Sequence, residues 1–350
     1  RQAAKDSADW SYLGTIRDIE ERAGVSASTV YRVLNMDSSL NVADETRVNI
    51  FFIADELDYI PRKNRKQKGE TASAQAKEIA IVYWYNYEQE MEDPYYLSIR
   101  LAIEQKAEEY GYQVRLVNPS NLEELMPDEV GVLVLGRLDD ITLETLNEQY
   151  GNVIIIDNSF RLKGFDYVGA DFEKATRDVM QYLYDLGHRK IAHLGGRTEE
   201  RERELGFVDK RAYIYRVFMR EKGLYDESLI YDCGDYSIKN AYRKLKEVLS
   251  EESHPTALVV SSDSMAIGAY RAISELGLRI PEDISVISFN DQTNARYMIP
   301  PLTTVRIQTK YIGFAAVDLL VERERFPRDY SKIVLLPTEI KIRRSCAEII

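Results

Sequence analysis

The sequence predicts an α/β core of two Rossmann-like subdomains behind a small all-α helix-turn-helix headpiece. Three observations carry that expectation. Short apolar runs alternate with longer helical patterns after residue 77, two capped helical patterns precede them, and a basic stretch lies between. At 350 residues the chain is long enough for two or three domains with a sizeable core. With 45% hydrophobic and 30% charged residues it falls outside the disordered, collagen-like and disulfide-rich classes. No run approaches the roughly 18 apolar residues of a membrane span. The stretch RQAAKDSADWSYLG has no signal-peptide core, so a cytoplasmic protein with no membrane partner is expected. Cys233 and Cys346 make neither a disulfide framework nor a zinc set.

Residues 1–14 read as an N-terminal extension and 15–59 as the headpiece. Thr15 followed by Asp18 resembles a capping box, and Ile16, Ile19 and Ala23 lie on one helical stripe. Gly24 permits a tight turn, and Ser26 caps a second helix carrying Val30, Val33 and Leu34. A third pattern over 43–59 places Ile50, Ile53, Ala54 and Leu57 on one face. In a helix-turn-helix the second helix enters the major groove. That puts Ala27, Ser28 and Arg32 at base edges, where Arg bonds guanine and a small apolar side chain meets a thymine methyl. Ser26, Thr29 and Asn35 are placed to fix register on phosphates, and Thr15, Ile16 and Arg17 complete the DNA-facing set. The alternative, a helical hairpin for protein contact, does not explain the basic stretch that follows.

Residues 60–76 form a basic linker: RKNRKQK (62–68) holds five cations in seven positions. The whole-chain charge of −12 argues against a simple polyanion-binding protein. Its location reverses that reading. Residues 1–69 hold eleven basic and eleven acidic side chains, so the remaining 281 carry the entire −12. An acidic core repels DNA and leaves contact to the headpiece and linker.

In the core (77–350), strands are expected at 78–85, 112–118, 129–136, 152–157, 189–195, 256–263 and 284–291. Continuous Val/Ile/Leu runs suit parallel strands covered on both faces, and their number calls for two sheets. Ligands gather beyond the carboxyl ends of such strands. Those ends carry Tyr85, Arg137, Asp157, Asn158, Asp263, Asn290 and Asp291, a set suited to a small polyhydroxylated ligand unless some are only turn formers.

AGVSASTVYRVLN, then ETR and LDYIP (45–47 and 57–61), resembles the DNA-binding headpiece of the LacI/GalR family of transcriptional regulators. The resemblance continues through LGHRKIAHLGG (186–196), residues 254–291 and PPLTTVRI (300–307). Residues 83–104 further resemble the galactose-operon repressors of that family. The resemblance implies a core like the periplasmic sugar-binding proteins, with subdomains of about 77–170 plus 307–333 and 171–304 plus 334–350. It implies a homodimer on double-stranded operator DNA, a small galactose-like sugar effector, and no cofactor or metal. The helix with Ile99 and Ile103 matches an element that usually lines the dimer interface. For the effector, Arg211 matches the family arginine that bonds hydroxyls, a task its planar fork suits. Asp157 and Asn290 match further polar contacts, Tyr236 matches an aromatic stacked on the ligand ring, and Ser262 stands where some members have Asn. Tyr85 and Arg137 join this set as strand ends.

There are departures. Tyr31 stands where the family almost always has Ser, with its ring or hydroxyl available to the sugar-phosphate backbone, and Glu20 stands where Ala is usual. Lys68 occupies the place of the leucine that wedges into the minor groove. Arg62, Lys63, Arg65, Lys66 and Lys68 are therefore expected along phosphates or in a narrow A·T-rich groove. Asn290 replaces the commoner Asp.

Catalysis is not expected. The sequence has no GxGxxG after a strand, no Walker loop and no GxSxG elbow, and His188 and His193 are poorly spaced for a metal. A regulator sensing another sugar or a purine is the alternative, with a sugar receptor lacking DNA function behind it.

Overall fold

A computed structural model of the chain describes residues 15–34, 42, 46–47, 49–50, 53–54, 77–83, 85, 87–125, 130–136, 138–157, 164–196, 209–249 and 254–349. The chain divides into two compact units, Arg1–Gln75 and Ala76–Ile350.

In the first unit, α1 (Ile16–Ala23) and α2 (Ala27–Leu34) form the expected pair. The Asp18 amide donates to Thr15 Oγ1 at 3.3 Å and the Thr15 amide to Asp18 Oδ2 at 2.7 Å, a reciprocal capping box. Gly24 ends α1 at φ 65°, where a side chain would be strained. Ser26 Oγ accepts from the Thr29 amide at 3.2 Å and so starts α2; such a cap contributes about 1 kcal/mol. Ile19, Val30 and Val33 are fully buried with Ile50, and Ile53 and Ala54 close the cluster from a third helical stretch. Burying each large aliphatic side chain contributes roughly 1.5–3 kcal/mol.

The second unit holds two six-stranded sheets. The first contains β1 (Glu78–Tyr83), β2 (Gln113–Val117), β3 (Gly131–Leu135), β4 (Val153–Ile156), β5 (Asp166–Ala170) and β11 (Ile333–Leu336), in the order β11-β5-β4-β3-β1-β2, all parallel. The second contains β6 (Ile191–Gly195), β7 (Ile230–Asp232), β8 (Ala257–Val260), β9 (Ser285–Asn290), β10 (Thr303–Arg306) and β12 (Glu339–Lys341), in the order β12-β10-β9-β8-β6-β7. Only its β10–β12 pair is antiparallel. Both orders reverse direction once, at β1/β3 and at β6/β8, and such switch points open a crevice at the strand carboxyl ends.

Helices cover the sheets: α3 (Tyr87–Glu92), α4 (Tyr95–Glu109), α5 (Asp140–Tyr150), α6 (Phe172–Asp185), α7 (Lys210–Glu221), α8 (Ile238–Val248), α9 (Asp263–Glu275) and α10 (Thr309–Arg325). The chain crosses between sheets after β5, β10 and β11. Residues 334–336, expected with the second subdomain, pair with β5 in the first sheet; the short apolar run simply extends an existing edge. The seven expected strands all form. β5, β7, β10 and β12 have no apolar run long enough to announce them, while β11, the four-residue run IVLL, is a strand that the expectation leaves out.

Ile99 and Ile103 belong to the core of the second unit. Both are fully buried inside the chain, on the face of α4 that packs against α10. Gly313 of α10 admits that approach, since a Cβ there would lie 2.7 Å from the Ala102 Cβ. Among the described residues no helix is long and apolar enough to cross a membrane.

Candidate functional site

On the headpiece, Arg17, Ser26, Ser28 and Tyr31 are exposed, while Ala27, Thr29 and Arg32 are half-buried. Ser28, Tyr31 and Arg32 stand at i, i+3 and i+4 and share one face of α2. Tyr31 is 53% exposed, a large aromatic on the outer surface of a helix whose inner face is Val30 and Val33. Thr15 and Ser26 spend their hydroxyls on caps, and Ser26 Oγ also bonds Thr29 Oγ1 at 2.9 Å. Ile16 packs on the headpiece core, so its side chain is not free to reach DNA. Asn35, Arg62, Lys63, Arg65, Lys66 and Lys68 lie outside the described residues, as do Arg137 and Asn158 in the core.

Asp157 follows β4, Ser262 follows β8 by two residues, and Asn290 ends β9. Asp157 (φ 52°), Asn290 (φ 115°) and Asp291 (φ 52°) are the non-glycine residues with positive φ among those described. Backbone held in that region is strained, and strain concentrated at a cleft points to ligand binding.

Arg211, at the start of α7, is the centre of the second lobe's polar cluster. Its Nε and Nη2 donate to the Asp209 carboxylate at 2.9 and 2.8 Å, and its Nη1 donates to the Ser261 carbonyl. Burial works against the guanidinium charge, but Asp209 overcomes it and holds the pKa above its ordinary value. Tyr236 Oη donates to the same carboxylate at 2.9 Å. The Tyr236 ring lies so close to Gly196 that a Cβ there would come within 2.4 Å of it. Phe172, Tyr236 and Phe289 surround the guanidinium, with ring centroids 5.2, 5.6 and 5.8 Å from Arg211 Cζ. The result is a planar donor braced by one carboxylate and framed by aromatic rings.

The first lobe answers with acceptors. Tyr85 packs edge-on against Tyr96 at 5.1 Å, in an aromatic cluster at the end of β1. Burial, with the Asp157 carboxylate close by, raises the Tyr95 hydroxyl well above its ordinary pKa. Asp93, which the sequence did not single out, reaches across: Gln292 Nε2 donates to its Oδ1 at 2.7 Å, and the Tyr95 amide donates at 3.2 Å. Burial pushes the Asp93 carboxyl up, against those hydrogen bonds and the nearby Arg211 and Ser262. Ser262 accepts from the Met265 amide at 3.2 Å, capping α9, and is 2% exposed.

Asp263, expected among the cleft-facing strand ends, faces inward instead. It is fully buried and accepts from Ser288 Oγ, from Thr304 Oγ1 at 2.6 Å and from the Gln292 amide at 2.6 Å. Polar side chains on the adjacent strands draw it under the cleft floor, where it positions the strained 290–292 turn. Asp291 is likewise held, by Arg306 at 2.7 Å and by Arg343. Among the described residues no group of His, Cys, Asp and Glu is arranged to hold a metal ion.

A helix-turn-helix unit in one chain with a two-sheet core, its lobes meeting over a polar cleft, defines a ligand-responsive DNA-binding regulator. Residues 15–62 match the bacterial regulatory proteins of the lacI family, and residues 180–346 match a periplasmic binding protein-like domain. The transcriptional regulator GalR of Streptococcus thermophilus is 35% identical over 339 residues, 95% of this chain and 99% of that protein. The chain belongs to the lacI family, and it is a regulator, not an enzyme. Two solved structures resemble it, each at 26% identity over 95% of this chain and 99% of the other. They are a complex of the transcriptional regulator CelR with cellobiose (TM-score 0.68) and the lac repressor dimer bound to operator and the anti-inducer ONPF (TM-score 0.67).

Proposed function

We propose that this protein is a homodimeric repressor whose affinity for operator DNA falls when galactose or a related galactoside binds between the core lobes. The observation that carries the reading is the Arg211–Asp209–Tyr236 cluster facing Asp93 and Asp157 across the cleft. A guanidinium fork, carboxylate acceptors and aromatic faces are the complement of a pyranose, whose hydroxyls alternate with apolar CH faces. Arg211, Asp157, Asn290, Ser262, Tyr236, Tyr85 and Arg137 form the effector set, to which Asp93 is added. That the similar regulator CelR forms a complex with cellobiose supports a sugar as the effector class. Sugar binding would draw the lobes together, shift the first lobes of the two protomers, and disfavour the placement of both headpieces on one DNA face.

DNA reading is assigned to Ala27, Ser28 and Arg32, with Tyr31 at the sugar-phosphate backbone and Thr15, Ile16 through its backbone, Arg17, Ser26, Thr29 and Asn35 at phosphates. The cations Arg62, Lys63, Arg65, Lys66 and Lys68 follow the backbone or the minor groove. Arg32→Ala should weaken operator binding by about 1–3 kcal/mol, relax one base position and leave random DNA nearly untouched. Equal losses on operator and random DNA would remove its base-reading role. The function is tested by mobility shift on DNA upstream of the protein's own gene, with a panel of sugars. Release by galactose or a galactoside is expected; release by hypoxanthine or guanine, and by none of the sugars, overturns the effector assignment.

A further inference from the structure

The cleft has a second compartment. A cavity of about 580 Å³ opens between the start of α4 and the segment from Asn290 to Thr309, and Arg211 is not part of its wall. That volume falls within the roughly 300–1,000 Å³ of small-molecule sites. Through Tyr95 and Asn290 it adjoins the groups assigned to the sugar ring.

Apart from Asn290, whose amide is already assigned to the sugar ring, its wall is rich in donors and poor in free acceptors. Arg296 and Arg306 both face it, with the hydroxyls of Thr293 and Thr309. Arg296 is exposed and makes no ion pair among the described residues. The carboxylate in the wall, Asp291, is 1% exposed and already taken by Arg306 and Arg343, so two cations meet one acid. Gln292 is spent as well: its Nε2 donates to Asp93, and its Oε1 accepts from Ser264 Oγ at 3.2 Å. Thr309 opens the 17-residue α10, whose N-cap Gln308 supplies no side-chain bond, so the positive end of that helix adds to the field. A neutral sugar ring needs carboxylate or amide acceptors and an open aromatic face. The aromatic here, Tyr95, is 8% exposed. All this lies in the part of the chain after residue 69, which carries the whole −12.

We propose that this cavity is an anion subsite, taking a phosphate or carboxylate group beside the sugar ring held at Arg211. The proposal rests on the sugar assignment above and narrows it: the preferred effector is an anionic sugar, or a sugar with a separate anion. Arg296 and Arg306 supply charge-assisted hydrogen bonds in fork geometry to the anionic oxygens.

The test uses the full-length protein and calorimetric titration with a neutral hexose, its 6-phosphate, the corresponding uronate and inorganic phosphate. The 6-phosphate or the uronate is expected to bind at least about tenfold more tightly than the neutral hexose. Arg296→Glu, at an exposed position, should erase that advantage and leave neutral hexose affinity unchanged. A gain in hexose affinity on adding inorganic phosphate, lost in Arg296→Glu, also supports the subsite, with a separate ion as its occupant. Equal affinity for neutral and anionic sugars with no effect of phosphate overturns the proposal, as does an Arg296→Glu protein that loses all sugars alike. If no sugar binds at all, the sugar assignment fails on its own. Phosphate binding abolished by Arg296→Glu would then still uphold the anion subsite, and no phosphate binding would overturn it too.

Discussion

Arg211→Met should abolish the response to sugar and lower folding stability by about 3–5 kcal/mol, the usual cost of breaking one side of a buried pair. The Asp209 carboxylate, with a side chain only 6% exposed, would keep Tyr236 as a donor but lose the guanidinium that neutralises it. The Ser261 carbonyl would lose its donor as well. Because the variant can fail through misfolding, Arg211→Lys is the sharper probe. Its ammonium keeps a charge beside Asp209 but cannot present two parallel donors to adjacent hydroxyls. A protein that unfolds near the wild-type temperature, binds operator normally and binds sugar about 10–100-fold more weakly is expected. Wild-type sugar affinity in Arg211→Lys would move the effector away from this cluster.

The second large effect is on stability against acid. His193 lies on β6, fully enclosed, with Nε2 3.4 Å from Ser261 Oγ and its ring 5.4 Å from that of Tyr215. Burial lowers its pKa to about 4, with Arg216 and Arg211 adding to the shift and Asp209 opposing it. Between about pH 4 and 6.5 the unfolded chain therefore binds a proton at His193 that the folded protein refuses, so stability falls as pH falls through that window. The full loss is about 3 kcal/mol. Asp263 has the opposite sign. Its carboxyl, pushed up to about 7 by burial, keeps a proton in the folded state that the unfolded chain has released, so its contribution is lost as pH rises from about 4 to 7. The two slopes offset each other in the wild type, and the contrast with a variant isolates one. In denaturant unfolding, wild-type stability minus that of His193→Gln should drop by about 3 kcal/mol between pH 7 and pH 4. Parallel stability–pH curves for the two proteins would show that His193 is not held neutral.

The headpiece was legible because its determinants are local. A hydroxyl at Thr15 or Ser26, a glycine at 24 and stripes such as Ile19, Val30 and Val33 act within a few residues of one another. The central strands were legible for a similar reason: β3 and β4 are buried along their whole length and read as unbroken apolar runs. β10 was not, because Thr303 and Thr304 are fully buried as hydrogen-bond partners of Ser345, Arg343 and Asp263, which the residue types alone do not announce. β7 and β12 are three residues each, too short for any period to register.

The cleft divides the same way. Asp157 and Asn290 could be placed from the ends of apolar runs, whereas Arg211 and Tyr236 came only through family resemblance. Asp93 escaped both, since its importance comes from a bond to Gln292, 199 residues away in sequence. Asp263 was misplaced for the converse reason. Position at a strand end suggested a ligand, and only the packing of Ser288 and Thr304 around it shows a buried support. The charge division between the two parts of the chain, by contrast, needed no coordinates at all.

The central claim is that sugar and operator are coupled through one molecule, and coupling of this kind is reciprocal. The most direct measurement is sugar affinity for the free protein against sugar affinity for the protein saturated with operator DNA. A coupling free energy of about 1–3 kcal/mol predicts binding about 5–150-fold weaker on the operator complex. Identical affinities in the two titrations would contradict the account.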